Sequence, residues 1–421
     1  MQAVSPRLFP KLFVLIIAVF CAFGTATLFA QSRPQKGDPP KSGGKKNERP
    51  VPKTEEELKA EEERRKIEEE EKNAIVDDEV LKIKTNIVNV DAVVYNKKTG
   101  QIVTGLKKEN FAVFENGVKQ EITNFATPEA PITVTLVVDY SRTGAALGTA
   151  SGGRFEPGKM ELVRPVAYFL SRFIKPPDDY ASVIAFDIRP TPLTDFTNDP
   201  NRINNVINLL LRNNPAFTES NMFDALNLAL VGGKADSIVL DNSKQEKMEY
   251  GGMVDVQARR RAIILVSTGI DSMSKINYGE MRKVIQNSGV PIYVIGTGEM
   301  FLKVYEDRLD AVDSLTGFPG RLTLLQAKNT LNTFAKESGG TYSPVTFPSE
   351  LPGVLGNINT LLRNQYSIAY DAAENRESGK KFKLEVKVDI NGDGQFEGKE
   401  YVIQHRPFYI TPEAEKPKAA K

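Results

Sequence analysis

The sequence predicts an α/β fold: a mostly parallel sheet with helices on both faces, inserted between N- and C-terminal β segments that form one small β-sandwich-like unit. Three observations predict it. Between Pro131 and Arg363, near-continuous apolar stretches such as ITVTLVVD and RAIILVST alternate with amphipathic stretches. Strands that alternate with helices imply a parallel sheet covered on both faces. On either side, residues 81–130 and 366–410 alternate apolar and polar side chains, as half-buried strands do. Neither flank alone has enough strands to hide an apolar face, so the two are expected to pack together.

Taken in order, the chain begins with Arg7 and Lys11 ahead of an apolar run from Leu12 to Phe23, then small residues with Ala26 or Ala30 at a cleavage position. That is the layout of a secretory signal peptide over residues 1–30. The run is shorter than the roughly 20 residues of a spanning helix, so no stable membrane span is expected after cleavage. The expected destination is the periplasm, the cell surface or the medium. Cys21, the single cysteine, lies inside this segment. The mature chain then has no disulfide, thiolate metal site or cysteine nucleophile, which suits a bacterial periplasm or surface. Residues 31–53 are rich in Pro, Gly, Lys and Ser and read as a disordered linker. Residues 54–80 read as a charged spacer helix. It opens on a Thr54/Glu57 capping box and carries acid-first pairs such as Glu55–Lys59 and Glu61–Arg65.

Residues 81–130 form the first β segment, with Val88, Val90, Ala92 and Val94 on one side of a strand and Asn116-Gly117 at a hairpin turn. Residues 131–365 form the α/β domain. Its strands are ITVTLVVD, ASVIAFD, RAIILVST, VPIYVIGTG and GGTYSPV, and its helices lie near 159–174, 201–211, 222–230, 278–287, 323–336 and 351–363. Residues 232–258 read as a polar insertion loop with room for some helix. The segment 366–410 returns to β pattern in QYSIAYD, KFKLEVKVDI and KEYVIQHRPFYI, and 411–421 is a polar tail.

Composition narrows the function. A formal net charge of +1 gives no field to gather nucleic acid. His405 is the single histidine and sits in a late strand, so it reads as structural, and histidine-based triads or zinc sites would have to use it. There is no G-x-S-x-G, Walker loop or Gly-rich dinucleotide loop, and Ser272/Lys275 is an S-x-x-K without companions. A non-enzymatic role is expected.

Ligands of open α/β sheets bind at the carboxyl ends of the strands. The first strand of the domain ends in VVDYSRTG, which puts Asp139, Ser141 and Thr143 on that edge. A carboxylate and two hydroxyls are hard oxygen donors that suit Mg²⁺ or Mn²⁺. With this Asp-x-Ser-x-Thr run, the order of elements resembles a von Willebrand factor type A (VWA) domain and its metal-ion-dependent adhesion site, whose motif is Asp-x-Ser-x-Ser. The resemblance implies a Rossmann-like sheet. It also implies a third hydroxyl at Ser220, in TESNMFDAL, with Thr218 as the near alternative. The family's later aspartate falls at Thr268 in LVSTGID, and Asp271 lies three residues on. The flanks GLKKENFAVFENGVKQEITNF and NQYSIAYD resemble those of VWA-related domain proteins abundant in acidobacteria, which extends the resemblance to residues 82–410. It implies protein–protein binding or adhesion, with Mg²⁺ or Mn²⁺ held by Asp139, Ser141, Thr143, Ser220 and Asp271 and presented to an acidic group of an unidentified protein partner. Thr268 in place of an acid weakens such a site, because ligand charge is a main lever on affinity. The alternatives are a scaffold in which Asp139 and Ser141 only cap a turn, and a metal-dependent hydrolase, for which no paired acids are seen.

A second string, DINGDGQFEGKE, matches the calcium-loop pattern D-x-[DN]-x-[DN]-G-x₅-E through Asp389, Asn391, Asp393, Gly394 and Glu400. Gln395 completes the candidate Ca²⁺ ligands. Strands flank it in place of helices, so a plain β-hairpin turn is the competing reading.

Overall fold

The computed structural model describes residues 87–141, 164–213, 217–235, 248–256, 260–305, 307, 309–313, 319–372, 376–377 and 379–411. The expected signal peptide, linker and spacer helix, Thr143 and the tail beyond residue 411 lie outside the described residues. The chain first forms β1 (Ile87–Asn96), β2 (Phe111–Glu115), β3 (Val118–Gln120) and β4 (Ile122–Ala126). It continues with β5 (Ile132–Asp139), α1 (Arg164–Phe173), β6 (Tyr180–Phe186), β7 (Pro190–Thr197), α2 (Pro200–Arg212) and α3 (Met222–Val231). Next come β8 (Gly232–Ala235), β9 (Met248–Gly251), β10 (Arg260–Ser267), α4 (Tyr278–Ser288), β11 (Ile292–Gly296) and α5 (Gly298–Tyr305). The last elements are α6 (Arg321–Ser338), β12 (Tyr342–Pro344), α7 (Leu351–Arg363), β13 (Tyr366–Asp371), β14 (Lys381–Val388), β15 (Tyr401–Gln404) and β16 (Phe408–Ile410).

The central sheet has the order β12-β11-β10-β5-β6-β7. Its first four pairings are parallel and the β6–β7 pairing is antiparallel, so the sheet is mixed at one edge. Every residue of β5 is buried, and the strand divides its side chains between two cores. Ile132, Val134, Leu136 and Val138 meet Leu170 of α1, Ile203 and Leu210 of α2, and Leu355 and Ile358 of α7. Val137 faces the other way, toward Leu226 of α3, Ile285 of α4, and Leu331 and Phe334 of α6. This two-sided burial is why the strand reads as a continuous apolar run. Each such side chain contributes about 2 kcal/mol by leaving water.

Two elements differ from expectation. Strand β7 begins with Pro190 and contains Pro192, residues that mask a strand in sequence but are tolerated at a sheet edge. The insertion read as a loop is, in its described part, a two-stranded antiparallel ribbon of β8 and β9. Gly232 and Gly252 permit its close return: a Cβ on Gly232 would stand 2.5 Å from the Gly252 nitrogen. The ribbon's anchor is Tyr250, buried with its hydroxyl 2.6 Å from Ser182 Oγ.

The flanking segments interleave. One sheet runs β15-β1-β13-β4 and a second runs β16-β14-β2-β3, so each draws strands from both ends of the chain. All their pairings are antiparallel. Val88, Val90, Ala92 and Val94 of β1 and Tyr366 and Ile368 of β13 share one core with Phe111, Val113, Leu384, Val386 and Val388 of the second sheet. The β2–β3 turn takes its positive φ values from Asn116 (48°) and Gly117 (85°), as a two-residue hairpin of this hand requires. Where the chain passes between the flanking strands and the α/β part, the buried Arg260 guanidinium donates to Pro128 O at 2.5 Å and Ala130 O at 2.6 Å, and also to Leu362 O.

Candidate functional site at the carboxyl edge of the central sheet

Strand β5 lies between β10 and β6, so its last residue, Asp139, emerges at the middle of the carboxyl edge. Asp139 is 7% exposed. Its Oδ1 accepts from Ser141 N at 3.1 Å and Ser141 Oγ at 2.6 Å. Its Oδ2 accepts from Ser267 Oγ at 3.2 Å and, more weakly, from Thr268 Oγ1 at 3.4 Å and Thr268 N at 3.5 Å. The donors across the strand boundary are oriented in turn. Ser267 Oγ accepts from Gly269 N at 3.0 Å and Thr268 Oγ1 accepts from Ile270 N at 3.3 Å, which leaves each hydroxyl proton for Asp139. Burial pushes the Asp139 carboxyl above its ordinary range, although the Ser141, Ser267 and Thr268 bonds act against it.

Ser220 stands in the loop ahead of α3 and is 2% exposed. Its backbone is laced to the loop after β10: Ser220 N donates to Ser272 Oγ at 3.0 Å, and Ser220 O accepts from Ser272 N at 2.9 Å and Met273 N at 3.1 Å. Its hydroxyl has no partner among the described residues. A buried hydroxyl normally finds one, so Ser220 Oγ suits a bound cation or its water. Thr218 is exposed, and its N–H donates to the neighbouring Glu219 carboxylate at 3.1 Å.

Asp271 makes its bonds at the start of α3. Its Oδ1 accepts from Phe223 N at 3.1 Å and Ser274 Oγ at 2.5 Å. Asn221, in the N-cap position of α3, makes no side-chain cap bond; Asp271 and Ser274 supply the cap from the loop after β10. Asp224 tethers the same loop by accepting from Lys275 N at 3.0 Å and Ile276 N at 3.1 Å. Burial, with Asp224 nearby, raises the Asp271 carboxyl. The structure thus brings Asp139 and Ser141 together with Ser267 and Thr268, and leaves Asp271 at a helix end. Ser267 was not singled out in the sequence, although a hydroxyl at the end of the strand beside β5 was a readable signal. One carboxylate with the hydroxyls of Ser141 and Ser220 fits the donor chemistry of a small hard cation that keeps several waters.

The 389–400 loop forms a second cluster. Single carboxylate oxygens of Asp389, Asp393 and Glu397 lie within 4.8 Å of one another. Asp389 Oδ1 accepts from Gly392 N at 2.7 Å and Asp393 N at 3.2 Å, and Oδ2 accepts from Gly394 N at 2.8 Å. Asp393 Oδ1 accepts from Gln395 N at 2.8 Å, and Asn391 Nδ2 stands 3.5 Å from Asp393 Oδ2. Glu397 Oε2 accepts from Ile390 N at 2.8 Å, and its buried Oε1 has no partner among the described residues. The expected closing acid was Glu400. Its side chain is exposed and it is not in the cluster; its carbonyl accepts from Lys97 N at 2.8 Å. The amide bonds to Asp389 turn the chain back early, so Glu397 reaches the loop first.

No known family's sequence profile matches the chain, and no curated protein matches it either. Solved structures do resemble it. The PilB minor pilin from Streptococcus sanguinis matches at 14% identity over 56% of this chain and 61% of that one, with a TM-score of 0.37. The proximal thread matrix protein 1 of the mussel byssus, solved with a zinc-occupied MIDAS motif, matches at 14% identity over 60% of this chain and 50% of that one, with a TM-score of 0.36. The vWF domain of the type V pili tip protein Mfa5 from Porphyromonas gingivalis matches at 14% identity over 56% of this chain and 95% of that one, with a TM-score of 0.35. The chain therefore spans less than two thirds of the pilin and byssus proteins it matches.

Proposed function

We propose that this chain is an exported, VWA-like binding module that engages a partner protein, without catalysis, at the Asp139 edge of its central sheet. The observation that carries the reading is the Ser220 hydroxyl, buried in the loop before α3 with no partner among the described residues, alongside the buried carboxylate of Asp139 at the end of β5. In this reading Asp139, Ser141 and Ser220 hold Mg²⁺ or Mn²⁺, and an acidic group of the partner completes the coordination. Thr143 belongs to the proposed set by its place in the sequence. Ser141 Oγ would turn its proton away from Asp139 and offer a lone pair, which a hydroxyl can do by rotation. Crosslinked capture from the native host tests it: the same protein should be recovered with Mg²⁺ and lost both with EDTA and with Asp139→Ala.

A second reading is favoured by the hydrogen bonds themselves. Asp139 already accepts on both oxygens from Ser141, Ser267 and Thr268, as it would in a scaffold whose metal site has decayed. Capture indifferent to EDTA and to Asp139→Ala selects this reading. Independently of either, Asp389, Asp393 and Glu397 are proposed to bind Ca²⁺. The support is the three carboxylates that approach within 4.8 Å, together with a buried Glu397 Oε1 that has no partner among the described residues.

A further inference from the structure

Helix α6 touches the candidate site on one side and the flanking β unit on the other, with no slack at either contact. Gly269 follows Thr268, whose hydroxyl faces Asp139. It has φ +85°, and a Cβ there would stand 2.7 Å from Ala327 O and 2.8 Å from Leu331 Cγ, both in α6. The loop carrying the Asp139 donors is thus pressed directly onto the helix. The helix has 18 residues, a length of about 27 Å. It ends on Gly339 in the left-handed conformation, φ +90°, where a Cβ would stand 2.7 Å from the backbone nitrogen of Arg406. Gln404 Nε2 donates to Gly339 O at 3.2 Å, which fastens β15 to the same cap.

Arg406 gathers the remaining connections. Its guanidinium donates to Asn89 O on β1. It also lies against Gly289, the left-handed cap of α4, where a Cβ would be 3.2 Å from Nη1. Arg406 therefore serves both caps in different ways: its backbone nitrogen and Cβ stand against Gly339 of α6, and its guanidinium stands against Gly289 of α4, where a cation pairs favourably with the negative dipole end of that helix. The two helices are bound side by side at this end: Glu337 of α6 accepts from Arg282 Nε and from Gln286 Nε2 of α4, each at 2.7 Å.

We propose that α6, tied to α4 through Glu337 and from the α4 cap to β1 through the Arg406 guanidinium, is a strut that couples the Asp139 edge to the flanking β unit, so that a change in the Thr268–Gly269 loop is felt in β1 and β13. The coupling needs no cation and stands or falls apart from the metal reading. Hydrogen–deuterium exchange on the full chain without divalent metal tests it, with Thr268→Val made alone and in Arg406→Met and Arg406→Lys backgrounds. Lysine keeps the charge but lacks the fork that reaches both Gly289 and Asn89, and it serves if the methionine variant does not fold. Thr268→Val is expected to speed exchange of the β1 and β13 amides about three- to tenfold with Arg406 present. In either substituted background the added effect there should fall below about twofold. Faster exchange confined to residues 267–274, or an equal effect in β1 and β13 with and without Arg406, overturns the proposal.

Discussion

Ser267 on β10 donates its hydroxyl to Asp139 Oδ2 on the adjacent strand β5 at 3.2 Å. The bond crosses between parallel neighbours at the edge where their loops begin. Thr268, the position at which the sequence resemblance expects an aspartate, also meets this carboxylate as a neutral donor, at 3.4 Å. These bonds hold the carboxylate in position, while the Ser220 hydroxyl has no partner among the described residues.

Ser220→Ala separates structure from binding. The hydroxyl has no partner among the described residues, so unfolding free energy in EDTA should change by less than about 0.5 kcal/mol. Any rise in melting temperature on adding Mg²⁺ to the wild type should shrink in the variant. Chemical denaturation and thermal melts with and without Mg²⁺ check both parts.

Asp271→Ala should behave in the opposite way. It removes one of the two acceptors of Phe223 N, the other being Ser274 Oγ, each at 3.1 Å, from a helix cap worth about 1 kcal/mol. Stability falls by that amount while Mg²⁺ affinity stays near the wild-type value. A variant that folds as well as wild type but loses Mg²⁺ would return Asp271 to the ligand set.

The fold was legible where burial is simple. Strands β5, β10 and β11 announce themselves as unbroken apolar runs because both their faces are covered, and Asn116-Gly117 announces its turn because few other pairs adopt two positive φ values. Asp139 followed from its place at the end of β5. What was hidden depends on contacts between distant residues. Asp271 caps a helix that begins 49 positions earlier in the chain, and no local spacing reveals which N–H it meets. The choice of Glu397 over Glu400 follows from the amides that Asp389 gathers, whereas the motif assumes an exiting helix. Strand β7 hides behind two prolines, and α5 is an eight-residue helix that opens on a glycine.

His405 sets a pH dependence. Its Nε2 accepts from Val386 N at 3.3 Å and its Nδ1 is 2.7 Å from Arg406 O, an arrangement that needs the neutral ring with the proton on Nδ1. Burial, with the Arg406 charge, lowers its pKa from 6.5. Well above pH 6.5 neither folded nor unfolded chain is protonated there, and the residue adds no pH dependence. As pH falls below 6.5, the unfolded chain takes up a proton that the folded one resists, so stability declines until the lowered pKa is passed. Urea midpoints from about pH 7.5 to about pH 5 should fall more steeply for wild type than for His405→Asn.

Calcium should raise the melting temperature if the 389–397 loop binds it. At about 100 times the dissociation constant the gain is about 2.7 kcal/mol. Glu397→Gln should remove most of that gain and Glu400→Gln little of it. Equal losses in the two variants would favour the ligand spacing expected from sequence over the cluster in the structure.

Whether the Asp139 edge holds a divalent cation is measured directly by isothermal titration of Mg²⁺ or Mn²⁺ into the metal-free protein. Titrations of Asp139→Ala and Ser220→Ala, in a background carrying Glu397→Gln to silence the second loop, complete the comparison. Saturable heat with about one ion per chain is expected in that background, abolished by Asp139→Ala and weakened by Ser220→Ala. No heat in the background protein, or heat unaffected by Asp139→Ala, would contradict the metal reading.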